Sequence, residues 1–264
     1  EILFEGCASG GNRFDLGILS YFPQIWASDD TDAYQRGLIQ NGYSYASPQS
    51  TYTCHVSDVP NHQTLRRTPI DTRFNVAAFG VTGYECNLCD LSKADYNKIK
   101  LQVEFLKKNR KLLQYGRFFR RSSFDEGKIL SWTIASKDKA EAISILMQSL
   151  TTPNEHQDIL YPRGLNEEAK YHIENIAHAY DVRCMGGLIN TVTPLHIKPD
   201  RFLHAVIAKF VKFNYEKESL DMYGDAMMYA GIHLKPRFAA LGFNDNVRFF
   251  PDFGSRLYEI RKAG

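Results

Sequence analysis

Short apolar runs alternate with amphipathic stretches over the first 116 residues. Ile2-Leu3-Phe4 predicts a buried strand and Ile25-Trp26-Ala27-Ser28 a second. Residues 32–40 have helical character. Gly42 to Ser47 (GYSYAS) reads as a third strand, with Tyr52 to Gln63 as its loop. Asp71 to Phe79 is compatible with a helix, and Val81 to Leu88 predicts a fourth strand. Ser92, with Asp95 three residues on, resembles a capping box. Tyr96, Ile99, Val103 and Leu106 follow at helical spacing. Gly116 is the expected stop at C′. Strands alternating with helices predict βα units around a parallel sheet.

Beyond Gly116 the pattern changes to consecutive strands. Ile129 to Ala135 predicts one strand, Ser136 to Lys139 a turn, and Glu141 to Leu150 the return strand. Ile232-His233-Leu234, Val247 to Phe250 and Ser255 to Ile260 are further short strands between Gly, Pro, Asn and Asp. That pattern predicts an antiparallel β domain. Phe202, Val206, Phe210 and Phe213 predict an inserted helix within 199–215, packed on the sheet. The fold class expected is therefore α/β plus all-β. The boundary falls near Gly116, giving an α/β unit at 1–116 and an antiparallel β unit with a helical insertion at 117–264.

Composition narrows the function classes. A net charge of +2 over 264 residues argues against a dedicated nucleic-acid binder. The basic run from Lys107 to Lys111 reads as a solvated helix face. No apolar run approaches the roughly 20 residues that span a bilayer. No signal peptide is visible, and the opening at Glu1 rather than Met reads as a cut through a longer protein. Five cysteines, unevenly spaced, do not form a disulfide framework. Free thiols favour a reducing, cytoplasmic setting. Cys86 and Cys89 have metal-like spacing without a matching second pair, so no metal or other cofactor is expected.

Candidate chemistry gathers between Glu5 and Arg36. Cys7 and Asp29 each follow a predicted strand, which on βα architectures puts them on one rim. A carboxylate there can act as general acid, base or nucleophile. Asp29, Asp30 and Asp32 also have blander readings, as helix N-caps or as a solvated loop. An EF-hand is excluded, because the position needing Gly is Gln35. The turn from Cys7 to Gly11 lacks both phosphate-loop signatures, and Cys7 itself reads by default as a small buried hydrophobe. His55 and His62 flank Pro60 and read as structural hydrogen-bonding residues.

The segments CASGGNRFD, PQIWASDDTDAYQR, HVSDVPNHQT, RRTPIDTRFNVAAFG, GYE, YGDAMMYAGI and DFGSRLY, in this order, resemble the C-terminal half of a bacterial α-galactosidase of glycoside hydrolase family 36. The resemblance implies the C-terminal half of a TIM (β/α)8 barrel at 1–116 and an antiparallel β-sandwich domain at 117–264. It implies retaining hydrolysis of terminal α-linked galactose from melibiose- and raffinose-type oligosaccharides. Two carboxylates about 5–5.5 Å apart are then required. The family's acid/base maps onto Asp29, which must hold its proton at neutral pH. Its CxxGxxR motif maps onto Cys7, Gly10 and Arg13, with Cys7 and Gly10 lining the galactose pocket and Arg13 behind them. Family members often form homo-oligomers.

One departure matters. The family nucleophile lies in a Lys-Trp-Asp motif, whereas Trp26 and Trp132 are the only tryptophans and neither precedes Asp. The nucleophile is thus expected in a missing N-terminal half of the same enzyme, and this chain alone is expected to be inactive. A galactosyl-transferring, raffinose-synthase-like relative and a non-catalytic carbohydrate-binding protein are the alternatives.

Overall fold

The computed structural model describes residues 2–7, 9, 12–152, 158–176, 180–181, 190, 194, 196–198, 201–213, 217–234 and 250–264. In chain order the first unit contains β1 (Glu5–Gly6), β2 (Gln24–Trp26), α1 (Ala33–Tyr43), β3 (Tyr52–Ser57), α2 (Ile70–Ala77), β4 (Val81–Glu85) and α3 (Lys93–Tyr115). The four strands form a parallel sheet in chain order. Asp32 starts α1 by accepting from the N–H groups of Tyr34 and Gln35. Ser92 starts α3 by accepting from Asp95 N–H, as its capping box predicts.

Three expectations for this unit are corrected. Ile2, Leu3 and Phe4 are not a buried strand: they are exposed, and pairing begins at Glu5 on the sheet's edge strand. Gly42 to Ser47 is not a strand: α1 continues through Tyr43, and Tyr43 Oη donates to Ala27 O. Tyr52 to Ser57 is not a loop but β3, buried at all six positions. Its polar residues are satisfied where they point. Thr53 Oγ1 donates to Ile25 O and Ser57 Oγ to Thr31 O, which is how a central strand tolerates alternating polar residues.

The second part contains β5 (Arg117–Ser122), β6 (Ile129–Ala135), β7 (Glu141–Gln148), β8 (Ile159–Leu160), β9 (Lys170–Asn175), β10 (Tyr180–Asp181), α4 (Phe202–Phe210), β11 (Lys212–Phe213), β12 (Ser219–Tyr223), β13 (Ile232–His233) and β14 (Ser255–Lys262). An antiparallel sheet runs β12-β9-β14-β7-β6-β5, with small pairs β10-β11 and β13-β8 beside it. Strands β6 and β7 read as nearly continuous apolar runs because both faces are covered. Leu130, Trp132, Ile134, Ile143 and Ile145 join one buried cluster with Phe74, Phe79, Phe105 and Leu113 of the first unit. Leu146, Tyr171, Ile173, Tyr258 and Ile260 form a second cluster with Leu160, Met227 and Ile232. Trp132 Nε1 donates to Asn41 Oδ1 at 3.1 Å, so the sheet is keyed to α1.

Gly116 does end α3, though not through a left-handed residue: its backbone is extended, at φ −69°. The reason is proximity. A Cβ there would lie 2.5 Å from Ile134 Cγ2 and 2.6 Å from Leu112 O. Helix α4 forms, but Phe202 and Phe210 are exposed while His204 and Ala208 are buried. The phenylalanine stripe therefore does not pack on the sheet. The strand predicted at 247–250 lies outside the described residues except for Phe250, which is buried. The basic run of α3 is solvated apart from Asn109.

Candidate active site

Asp29 lies three residues beyond the carboxyl end of β2, and Cys7 directly follows β1. Adjacent parallel strands place both at the same end of the sheet. The acidic loop then sorts itself by hydrogen bonding. Asp32 caps α1 through Oδ1, while its Oδ2 accepts from Thr64 Oγ1 and from Arg66 Nη1 at 2.6 Å. Arg66 in turn lies between the rings of Tyr34 and Phe253, 4.9 and 4.8 Å from their centroids. Asp30 Oδ1 accepts from Asp32 N–H and shapes the turn. Asp29 is exposed, and its Oδ1 accepts from Trp26 Nε1 at 3.0 Å. Two of the three carboxylates thus serve the fold, and Asp29 alone presents a carboxyl group to the rim.

Beside Asp29 lies a polar inner face of the sheet. Side chains alternate along a strand, so Gln24 and Trp26, Thr53 and His55, and Gly83 and Glu85 share one face. With Glu5 they line a cleft of about 350 Å³. His55 stacks on Trp26, ring centroids 4.3 Å apart and planes 11° from parallel. Its Nε2 lies 2.8 Å from Arg36 Nη2 and 3.2 Å from Glu85 Oε2. Burial, reinforced by the Arg36 charge, pushes the imidazole down to about 3. The His55–Glu85 contact is therefore between a neutral ring and a carboxyl group rather than an ion pair.

Arg36 is 2% exposed, and its Nε and Nη1 have no hydrogen-bond partner among the described residues. Burial lowers its proton affinity, while charges including Glu85 and Asp30 oppose that fall. Burial also raises Glu85, against the opposing charge of Arg36. Neighbouring charge of opposite sign is what makes a buried guanidinium tolerable.

Of the residues singled out from sequence, Cys7 and Asp29 share the rim. Cys7 is exposed and has a free thiol, so it is not the buried hydrophobe of its default reading. Arg13 is exposed and makes no ion pair among the described residues. Gly10 lies outside the described residues. Cys86 and Cys89 are free thiols, and among the described residues no group of His, Cys, Asp and Glu side chains is arranged to hold a metal ion. Arg36 and Glu85 were missed as part of this cluster. The alternation of Thr53, His55 and Ser57 within TYTCHVS was the available signal, since it marks a strand with one polar face.

Comparison with known proteins decides the family. The melibiase profile matches residues 1–116, and the glycosyl hydrolase family 36 C-terminal domain profile matches residues 129–260. The chain belongs to glycosyl hydrolase family 36. Among its relatives, α-galactosidase 1 of Pediococcus pentosaceus is 46% identical over 179 residues, which cover 67% of this chain and 24% of that protein. α-Galactosidase AgaA of Geobacillus stearothermophilus is 42% identical over 176 residues, with the same coverage of 67% and 24%.

The crystal structure of the Lactobacillus brevis α-galactosidase superposes with a TM-score of 0.76 at 34% identity, over 99% of this chain and 29% of that one. A variant of AgaA in complex with raffinose superposes with a TM-score of 0.75 at 31% identity, over the same shares. Another AgaA variant was solved with stachyose. The chain spans about a quarter of the length of the curated relatives it matches. Among the described residues no helix is long and apolar enough to cross a membrane.

Proposed function

We propose that this chain is the C-terminal part of a retaining α-galactosidase that removes terminal α-linked galactose from raffinose-type oligosaccharides. The reading takes residues 1–116 as half of a (β/α)8 barrel and residues 117–264 as an antiparallel β-sandwich domain. Asp29 is the acid/base. Its carboxyl group protonates the glycosidic oxygen as the bond to the anomeric carbon breaks. A nucleophilic Asp from the upstream half bonds that carbon. Asp29 then takes a proton from the water that releases galactose. Cys7 and Gly10 line the galactose pocket, and Arg13 supports it from behind.

The observation carrying this reading is the sorting of the acidic loop: Asp32 and Asp30 are committed to the fold, while Asp29 faces the rim beside Cys7. The relatives solved with raffinose and stachyose support the substrate class. The free thiols suit a cytoplasmic enzyme. The isolated chain should not turn over a chromogenic α-galactoside, since it lacks the nucleophile. Turnover by the isolated chain, lost on Asp29→Ala, would contradict that. In the enzyme extended upstream through its Lys-Trp-Asp segment, Asp29→Ala should cripple activity, and near-normal rates would refute the assignment.

A further inference from the structure

We propose that Trp26 is a positioning residue for the proton donor: its indole N–H holds Asp29 Oδ1 and leaves the transferable proton on Oδ2. The inference rests on the reading of Asp29 as acid/base. An indole N–H can donate but not accept. Asp29 Oδ1, 3.0 Å from Trp26 Nε1, is therefore the acceptor oxygen. A carbonyl oxygen accepts better than a hydroxyl oxygen, so the indole favours the acid form whose transferable proton is on Oδ2, from where it is given to the glycosidic oxygen.

The indole can perform this role because its own position is fixed. Trp26 is the last residue of β2, in register with Thr53 of β3. One ring face lies flat on His55. His55 is held by Arg36, itself buried in the first turns of α1. Helix α1 starts at Asp32, three residues after Asp29. Asp29 is thereby held at both ends of one short loop, by backbone leading into α1 and by the indole braced from α1 through Arg36 and His55.

A donor to a carboxylate favours its charged form, so a variant without the N–H is expected to move the alkaline limb of the pH profile upward. Among the described residues, the other ionisable groups around Trp26 and Asp29 are Glu5 from β1, Cys7 at its end, Asp30 in the loop, Arg36 from α1, Cys54 and His55 from β3, Asp58 and His62 beyond β3, and Tyr84 and Glu85 from β4. His55 is neutral throughout the working range. Glu85 is the group whose titration would compete as an explanation.

The test is the pH dependence of kcat and kcat/KM on an aryl α-galactoside, using the full-length enzyme that carries this chain. Two replacements at position 26 are compared. Trp26→Phe keeps an aromatic ring. Site-specific benzothienylalanine keeps the bicyclic shape and the stack on His55, but puts sulfur where the N–H was. Both should move the alkaline limb of kcat/KM upward by about half to one pH unit, with kcat down roughly ten-fold and KM nearly unchanged. The upward shift should persist in a Glu85→Gln background. An unmoved limb in the benzothienylalanine enzyme, or a shift abolished by Glu85→Gln, overturns the role of Trp26. Asp29→Ala separates the two claims. If it leaves activity intact, the acid assignment has failed. If it abolishes activity while both position-26 variants keep the wild-type limb, only the role of Trp26 has failed.

Discussion

Asn109 Nδ2 donates to Glu259 Oε1 at 2.9 Å, joining the long helix α3 to the final strand β14 across 150 residues of sequence. Lys108 Nζ reaches the same carboxylate at 3.1 Å. Burial alone would raise Glu259, but the hydrogen bonds from Asn109 and Lys108 outweigh it and hold the group below its ordinary value. A lowered carboxyl group contributes stability that is present above the ordinary carboxylate range and lost as pH falls through the lowered value. Glu259→Gln should therefore cost about 1–2 kcal/mol near neutrality and make unfolding less acid-dependent. Chemical denaturation at pH 7 and pH 4 measures both effects. Equal losses at the two pH values would dissociate this contact from charge.

His55, in a strand interior, loses its contribution in the same direction as pH falls, but because its neutral form is the one favoured. Its imidazole is lowered from 6.5 to about 3 in the fold. Between those values the unfolded chain binds the extra proton, so the contribution is whole above about pH 6.5 and declines as pH drops toward 3. The loss amounts to about 5 kcal/mol at most. A His55→Gln variant should show a flatter decline of Tm between pH 6.5 and 4 than the parent. A parallel decline would show that other groups govern acid lability.

Asp32 combines two structural duties that can be separated by substitution. Asp32→Ala removes the α1 cap and leaves Arg66 without its carboxylate partner, which should cost about 3–5 kcal/mol. Asp32→Asn retains the capping oxygen but sets an amide NH2 where Oδ2 accepts from Thr64 Oγ1 and Arg66 Nη1, so it loses those two bonds and keeps only the cap. It should be milder than Asp32→Ala by the share of the cap, about 1 kcal/mol, and denaturant midpoints would rank the two variants.

Gly116→Ala tests the close approach of α3 to β6. The added methyl would meet Ile134 Cγ2 and Leu112 O below 3 Å. A loss of about 1–3 kcal/mol is expected. An unchanged midpoint would mean that the helix end can shift outward freely.

Much of the local structure was legible in the sequence because local rules agreed. The Ser92–Asp95 cap, the apolar stripe of α3 and the continuous β6 and β7 runs each carry their own signal. Strand β3 was misread because Thr53, His55 and Ser57 look like loop residues until the sheet supplies their partners. The α4 stripe failed for a related reason: Phe202 and Phe210 have helical spacing, but spacing does not say what faces them. The acid cluster was identified as chemistry, yet its division of labour depends on Thr64 and Arg66, more than 30 residues away from Asp32. Arg36 reads as an ordinary polar helix residue, and its burial beside His55 and Glu85 is decided by two other strands.

The most direct measurement compares leaving groups in the upstream-extended enzyme. With Asp29→Ala, hydrolysis of an α-galactoside whose leaving group needs protonation should fall about 10²–10⁴-fold. Hydrolysis of a dinitrophenyl α-galactoside, whose leaving group departs unaided, should retain a rapid first step. Added azide should speed release of the trapped sugar as α-galactosyl azide. Equal losses on both substrates, with no response to azide, would contradict Asp29 as the proton donor.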